Sequence, residues 1–241
     1  MEQVYEIIFY ASLAGVCIPL GGALAGIERI RPQWLERELR HFVIAFGAGI
    51  LVAAVGLVLV PEGAAYVEGD ALPALYIVLG GVLFFLLESR MLARRKSVPQ
   101  LLAMLLDYLP ESIALGGMLA LDARAAPLLA VLIGLQNLPE GFNSYRELRA
   151  NAGLKPRQIL LLMGCLALLG PVMGLLGWWI LADRVQVLGA IMLVASGGIL
   201  YLIFQDIAPQ ARLKRHWAPP LGAVCGFGLA MFGQLYIENQ L

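Results

Sequence analysis

Two copies of the tripeptide Leu-Pro-Glu carry the residues best suited to chemistry in this chain. They occupy residues 109–111 and 138–140, each inside a run too hydrophobic to be anything but a membrane span. A carboxylate at the centre of a bilayer is costly unless it has a partner, water or an ion. Proline removes a backbone hydrogen bond and frees the carbonyl four residues earlier, here those of Leu106 and Leu135. Two such defects on neighbouring spans predict a binding site.

Further polar residues lie at helical spacing from the two glutamates. Asp107 is four residues from Glu111, and Gln136 is four residues from Glu140, so each pair shares one helix face; Asn137 adds a second amide. Three carboxylates cannot stay charged together in hydrocarbon without protons or cations. An all-oxygen set, which the freed carbonyls would extend, suits hard or borderline divalent cations. The sequence therefore predicts a site for one divalent cation or for a carboxylate-bridged pair.

Other polar residues are weaker candidates. Asp206, near the cytoplasmic end of another apolar run, is a candidate ligand on the exit side, with an ordinary interfacial acid as the alternative. Glu62 and Glu88 stand at span ends and are predicted to be ordinary interfacial acids. For the Leu-Pro-Glu motifs themselves, the alternative is a kinked helix pair locked by protonated carboxyl groups.

The composition identifies an integral membrane protein. Of 241 residues, 60% are hydrophobic and only 14% are charged, whereas soluble domains carry nearer a quarter charged residues. The net charge of zero implies no long-range attraction to nucleic acid. We expect an all-α polytopic protein, with residues 1–241 as a single transmembrane domain. Eight spans are predicted, at about 5–27, 41–62, 72–93, 99–121, 124–146, 157–182, 186–208 and 217–238.

The distribution of basic residues predicts the orientation. All lysines and arginines except Arg124 and Arg184 fall in the links after spans one, three, five and seven. Because basic residues concentrate on the cytoplasmic side, both termini should be extracytoplasmic, in a plasma (bacterial inner) membrane. The first apolar run lacks the basic segment of a cleaved signal peptide, so we expect it to remain in the mature chain.

Weak internal symmetry suggests an inverted repeat. Spans four and five share Leu-Pro-Glu, and spans two and seven share a glycine-rich stretch that ends near Pro61 and Pro209. Spans one and six each carry a proline followed by glycine, at Pro19 and Pro171. A three-plus-two-plus-three arrangement would pair spans one to three with spans six to eight in opposite orientation. Inverted repeats around a midplane site are typical of secondary transporters.

Residues 136–141, Gln-Asn-Leu-Pro-Glu-Gly, resemble the fifth-span motif of the ZIP (Zrt/Irt-like) family of divalent-metal transporters, and residues 107–112 resemble its fourth-span copy. Residues 45–62 and 196–209 look like its second and seventh spans. The resemblance implies an eight-span, three-two-three inverted bundle. It also implies metal ligands at six positions: Asp107, Glu111, Gln136, Asn137, Glu140 and Asp206.

Several positions depart from the family pattern. Histidine usually stands in place of Asp107, and asparagine in place of Tyr108. Gly170 replaces the acid that commonly opens the sixth-span motif, and Val58 replaces a second-span acid. The loss of the site histidine weakens the expected preference for zinc, so iron(II) and manganese(II) become competing substrates.

The predicted function is inward transport of a divalent transition metal, without enzymatic activity or a prosthetic group. No phosphate-binding Gly-x-x-x-x-Gly-Lys motif is present, so flux would be passive or driven by another gradient. The expected partners are the metal ion and membrane lipid, with a homodimer left open. One alternative is a non-transporting homologue, either a metal sensor or a partner subunit, in which Tyr108 plugs the pathway. A weaker alternative is an intramembrane hydrolase using paired carboxylates.

Overall fold

Apolar runs fold into helices throughout the part of the chain that the computed structural model describes, residues 2–27, 33–92, 99–121, 123–211 and 219–238. We number the α-helices α1 to α11; π-helical segments at Ala54–Leu59 and Ile203–Ile207 join α2 to α3 and α9 to α10. The α-helices are α1 (Glu2–Ile27), α2 (Gln33–Ala53), α3 (Val60–Tyr66), α4 (Leu72–Leu92), α5 (Pro99–Ala120), α6 (Ala126–Asn151), α7 (Pro156–Ala167), α8 (Leu169–Leu181), α9 (Val185–Leu202), α10 (Ala208–Ala211) and α11 (Leu221–Glu238).

Six helical stretches among the described residues are long and apolar enough to cross a membrane. The remaining two predicted spans are also helical but fall short by length or composition. Leu221–Ile237 in α11 is apolar but shorter, and α6 is long but carries many polar residues. The all-helical character is therefore confirmed for the described residues, and six of the predicted spans are long and apolar enough to cross a membrane, whereas the count of eight spans stays a prediction. The six stretches are 2–27, 38–66, 72–90, 100–120, 156–181 and 185–211.

Four helix pairs pack closely through glycine: α1 with α6, α5 with α8, α2 with α11, and α4 with α9. In each pair, both helices contribute one glycine that lies against a backbone carbonyl of the other helix, leaving no room for a Cβ atom. In a membrane such contacts matter because packing, rather than hydrophobicity, holds helices together. The glycine pairs are Gly21 and Gly141, Gly116 and Gly177, Gly49 and Gly226, and Gly80 and Gly197.

The helices assemble into two bundles. The first, called here the motif bundle, contains α1, α5, α6, α7 and α8 and carries both Leu-Pro-Glu copies. The second contains α2, α3, α4, α9, α10 and α11. The bundles meet where α6 contacts α2 and where α5 contacts α9.

Prolines shape the backbone near the ends of two predicted spans and within a third. The N–H of Val60, just before Pro61, bonds to the carbonyl of Val55 five residues earlier. The N–H of Ala208, just before Pro209, bonds in the same way to Ile203. Both π-helical segments thus end beside a proline, which cannot donate a backbone hydrogen bond. The third case is Pro171, which follows the interruption at Leu168 between α7 and α8.

Candidate functional site

Antiparallel packing of α5 against α6 buries the predicted site residues within the motif bundle. The exposed fraction is 3% for Asp107, 0% for Glu111 and 5% for Glu140, while both amides, Gln136 and Asn137, are fully buried. The glutamates of both Leu-Pro-Glu copies therefore lie inside the protein rather than facing lipid. This matches the expectation that intramembrane acids face a bundle interior.

Two polar pairs link α5 to α6. Gln136 Nε2 donates a hydrogen bond to Glu111 Oε2 at 2.6 Å. The carboxyl groups of Asp107 and Glu140 are close enough to share a hydrogen bond when one of them is protonated. The structure thus brings together four of the six predicted ligands, as an acid–amide pair and an acid–acid pair.

Asn137 faces α1 instead. Its Nδ2 donates to the backbone carbonyl of Ala14 at 3.0 Å. That bond fixes the side chain between α6 and α1, so Asn137 helps to hold α1 against the motif. Its Oδ1 remains without a partner.

Several buried oxygen atoms around the two pairs have no hydrogen-bond partner. A buried acceptor left unsatisfied costs about 1–3 kcal/mol, so a cluster of them needs a proton, water or a cation. A divalent cation satisfies several oxygens at once and balances the carboxylate charge. The unpartnered atoms of the predicted residues are Asp107 Oδ1, Glu111 Oε1, Gln136 Oε1, Asn137 Oδ1 and both carboxylate oxygens of Glu140.

These oxygen atoms do not form a complete metal-binding site. Across the described residues, no group of three His, Cys, Asp or Glu side chains is arranged to hold a metal ion. The three acids are divided between an acid–acid pair and an acid–amide pair, in which Gln136 donates to one oxygen of Glu111. Glu111 Oε1 and both carboxylate oxygens of Glu140 are unpartnered and free to contact a shared ion, and rotation of the Gln136 amide would bring its Oε1 toward Glu111 in place of Nε2. Amide rotation of this kind needs no backbone movement.

A polar stripe on α6 extends from these pairs toward the helix C-terminus. Asn143, Ser144 and Glu147 follow Glu140 at spacings of three, four and seven residues, so they share its face. Asn143 Oδ1 and Ser144 Oγ are buried and unpartnered. The sequence analysis missed these residues, although the spacing from Gln136 was visible in the sequence. From Gln136 to Glu147 the stripe rises about 16 Å along the helix.

Glu147 connects this stripe to the start of α5 and to Asp206. Its Oε2 accepts a hydrogen bond from the backbone N–H of Gln100 at 3.0 Å, which satisfies a free donor of the first turn of α5. It also interacts electrostatically with Asp206 and with Arg40. An acid from α6 therefore lies near enough to an acid from the π-helical segment after α9 for their charges to interact.

Asp206 lies away from the Leu-Pro-Glu acids, in a second acidic cluster with Glu88 of α4. The two carboxyl groups are close enough to share a hydrogen bond when one is protonated. Glu88 is only 6% exposed, and neither of its carboxylate oxygens has a partner. Its predicted role as an ordinary interfacial acid is therefore wrong, because packing of α4 against α9 buries it. Glu62, by contrast, is half-buried and lines a cavity of about 240 Å³ together with Arg124.

Tyr108 faces the opposite side of α5 from the lipid and is fully buried. Its hydroxyl donates to the backbone carbonyl of Ala167 at 3.0 Å, at the end of α7. Gly170 lies against the same hydroxyl, and Val58 is buried in the first π-helical segment. All four positions that depart from the ZIP pattern, Asp107 included, are thus interior.

Comparison of the chain with models of known protein families gives no match, and comparison with curated proteins gives none either. Membership of the ZIP family therefore rests on the motifs and stays a prediction.

Proposed function

We propose that this protein carries a divalent transition-metal ion into the cell across a plasma or bacterial inner membrane. The observation that supports this most strongly is the set of buried, unpartnered carboxylate and amide oxygens shared between α5 and α6. Intramembrane acids of this kind mark ion pathways more often than structural contacts. The ion itself is the substrate, and it would be held by Glu111, Glu140, Asp107 and Gln136.

The pattern of helix packing supports an eight-span inverted repeat. The repeat would relate span one to span six, two to seven, three to eight and four to five. Under this exchange, each closely packed helix pair becomes another closely packed pair. The α1–α6 pair becomes α8–α5, and the α2–α11 pair becomes α9–α4. The π-helical segments before Pro61 and Pro209 exchange as well. Such symmetry favours transport by rocking one bundle against the other around a midplane site.

The acids beyond the midplane define a route toward the cytoplasm. With the basic links inside, the C-terminal end of α6 is cytoplasmic, so the polar stripe runs inward from Glu140 to Glu147. There Glu147 interacts electrostatically with Asp206, which in turn pairs with the buried Glu88. A cation leaving the α5–α6 pairs would pass from one set of oxygens to the next. Asp206 would thus receive the ion after the main site rather than complete that site.

The oxygen donors at the main site favour hard or borderline ions. Iron(II), manganese(II) and zinc are the candidate substrates, although the affinity of a given site still rises from manganese toward zinc or copper. The thiol of Cys17, on α1, donates a hydrogen bond within its own helix to the carbonyl of Leu13 at 3.5 Å.

A non-transporting homologue is the second candidate function. The observation that favours it is Tyr108, whose buried ring and hydroxyl bridge α5 and the end of α7 beside the acids. A sensor or a partner subunit would bind metal at the same pairs without moving it.

Uptake by proteoliposomes tests the proposal. Vesicles that contain the purified protein should accumulate manganese, iron(II) or zinc, and Glu111→Gln and Glu140→Gln should abolish the flux. Glu62→Gln is a matched control, because Glu62 also follows a proline but stands at a span end. Metal binding without flux would favour the sensor or subunit role. Absence of metal binding would reject both.

A further inference from the structure

We propose that a phospholipid binds in a cleft between α4 and α5, with one acyl chain in the cleft and its phosphate on Arg184. The cleft has a volume of about 410 Å³ and lies on α9, against which both α4 and α5 pack. None of the six predicted metal ligands lines it. The inference therefore concerns a second ligand and does not depend on metal transport.

Small side chains on α9 leave the cleft open. Ala190 and Ala195 lie at its base, whereas Leu83 of α4 and Pro110 of α5 line its two sides. Leu83 is 43% exposed, so the cleft opens toward the surrounding medium. For a helix that spans a membrane, this medium is lipid. A concave surface of this depth holds a chain at a defined place, unlike the convex faces of the outer helices.

The chemistry and the length of the cleft fit a hydrocarbon chain. Of the described residues that line it, only Tyr76 carries a polar group. Water is not stable in so apolar a space. Along α4 the lining runs from Tyr76 to Leu87, which is about 16 Å of helix. Since the hydrocarbon core of a bilayer is about 30 Å thick, this length matches the acyl chain of one leaflet.

A cation is available for the phosphate. Arg184 is exposed and immediately precedes the apolar stretch 185–211. The cleft is lined by Val187, Ile191 and Val194, which follow Arg184 at spacings of three, seven and ten residues. Residues at these spacings share one helix face, so the guanidinium stands at the end of the cleft. Within the described part of the chain it has no hydrogen bond or ion pair. Arginine binds phosphate oxygens in pairs, which makes the headgroup its natural partner.

The neighbouring charges indicate the kind of headgroup. Asp183 is exposed beside Arg184, so the end of the cleft presents one negative and one positive group. A zwitterionic headgroup carries the complementary pair, a phosphate and an amine. Phosphatidylethanolamine should therefore bind better than an anionic phospholipid.

A second copy of the chain fits this cleft less well. A twofold contact brings the same patch of both copies together. A contact centred here would place cleft against cleft and bring two Arg184 side chains near each other. The space would remain unfilled, although close packing is what holds membrane helices together. An acyl chain adapts to the cleft and brings an opposite charge.

The bound chain would contact both helix bundles. The cleft is bordered by α5 of the motif bundle and by α4 and α9 of the second bundle. Its lining includes Pro110 of the first Leu-Pro-Glu copy. A lipid at this place completes the packing between the bundles. Because a ligand stabilises the folded state that binds it, adding the lipid back should raise the melting temperature.

Native mass spectrometry tests the inference. The protein is purified in detergent, stripped of its lipid and mixed with dioleoyl phosphatidylethanolamine. The wild type should retain one lipid per chain under conditions that remove all others. Ala190→Phe fills the base of the cleft and should lose this lipid. Arg184→Gln should weaken retention by about two- to fivefold, which is the contribution of an exposed ion pair.

Matched controls exist for both substitutions. Ala74 is exposed on α4 and does not line the cleft, so Ala74→Phe should retain the lipid. Arg124 lines the separate cavity beside Glu62, so Arg124→Gln should retain it as well. Thermal melting gives a second measurement: phosphatidylethanolamine should stabilise the wild type and both controls but not Ala190→Phe.

The outcomes decide the inference without reference to metal. Loss of the lipid in Ala190→Phe but not in Ala74→Phe supports it, whereas equal retention by the two overturns the cleft as the site. Equal retention of dioleoyl phosphatidylglycerol by the wild type would overturn the headgroup assignment. A lipid-free dimer that Ala190→Phe disrupts would place a second copy there instead. If Ala190→Phe does not fold, crystals of the wild type with phosphatidylethanolamine brominated on its acyl chains decide: anomalous bromine peaks in the cleft support the inference, and their absence there overturns it.

Discussion

Neutralising the two Leu-Pro-Glu glutamates should separate metal binding from folding. Glu111 and Glu140 are buried, and three of their four carboxylate oxygens lack a partner. In Glu111→Gln and Glu140→Gln, the amide keeps the size of the side chain but removes a charge that costs about 2.5–3.5 kcal/mol at mid-membrane. The melting temperature of the metal-free protein should therefore hold or rise.

The stabilisation that metal provides should vanish in the same variants. A ligand at 100 times its dissociation constant stabilises a folded protein by about 2.7 kcal/mol. For a chain of this length, that corresponds to an increase of roughly 5–11 °C in melting temperature. Wild-type protein in detergent should show this shift on addition of manganese, and so should the Glu62→Gln control. Each single variant should lose it.

The double variant Glu111→Gln/Glu140→Gln provides the sharpest test. If both carboxylates hold one ion, removing the second should change metal binding little beyond the first, because the two residues act as a unit. Thermal melting with and without manganese measures this directly. Retention of the full shift in the double variant would place the metal elsewhere and refute the reasoning.

Three further predictions follow from the packing and the route. Asp107→His adds an imidazole beside Glu140 and should shift competition uptake from manganese toward zinc; an unchanged preference would contradict the ligand-type argument. Glu147→Gln lies outside the main site and should slow flux more than it weakens binding, as uptake rates and equilibrium dialysis can show. Gly141→Ala forces a Cβ atom onto the Ile18 carbonyl and should lower the free energy of unfolding by about 1–3 kcal/mol. Gly134→Ala, on the same helix, is the control, because a Cβ atom there makes only ordinary contacts. Equal melting temperatures for the two variants would refute the close-packing argument.

The sequence predicted the helices and the core of the site because both follow from local patterns. Apolar length fixes the spans, and the spacing of four residues places Asp107 with Glu111 and Gln136 with Glu140. The partner of each side chain was less predictable. A helix that is apolar on all sides, such as α4, gives no signal of its rotation, so the burial of Glu88 against Asp206 could not be foreseen.

The sequence alone also could not predict where the helices depart from regular geometry. A proline indicates a freed carbonyl but not which group satisfies it. At Pro61 and Pro209 the backbone widens into a π-helical segment, whereas beyond Ala167 the helix is interrupted and a tyrosine from α5 donates instead. Which solution is used depends on the neighbouring helix, and that neighbour is set by long-range packing. The amide of Asn137 predicts a ligand of the site, yet its Nδ2 donates to the backbone carbonyl of Ala14 in α1.

Under the proposed function, the division into an acid–acid pair and an acid–amide pair would explain how one small volume can hold three carboxyl groups and still release an ion. Without metal, Gln136 donates to Glu111, and a shared proton can link Asp107 to Glu140. A cation held between the pairs would compete with both interactions, so part of its binding free energy would offset their loss. Because the protein would regain these contacts when the ion left, departure would not leave bare charges in the membrane. A rigid cage of three carboxylates would bind more tightly but release more slowly, and efficient passage requires binding that is also easily reversed. The paired arrangement therefore favours transport over permanent storage of the metal.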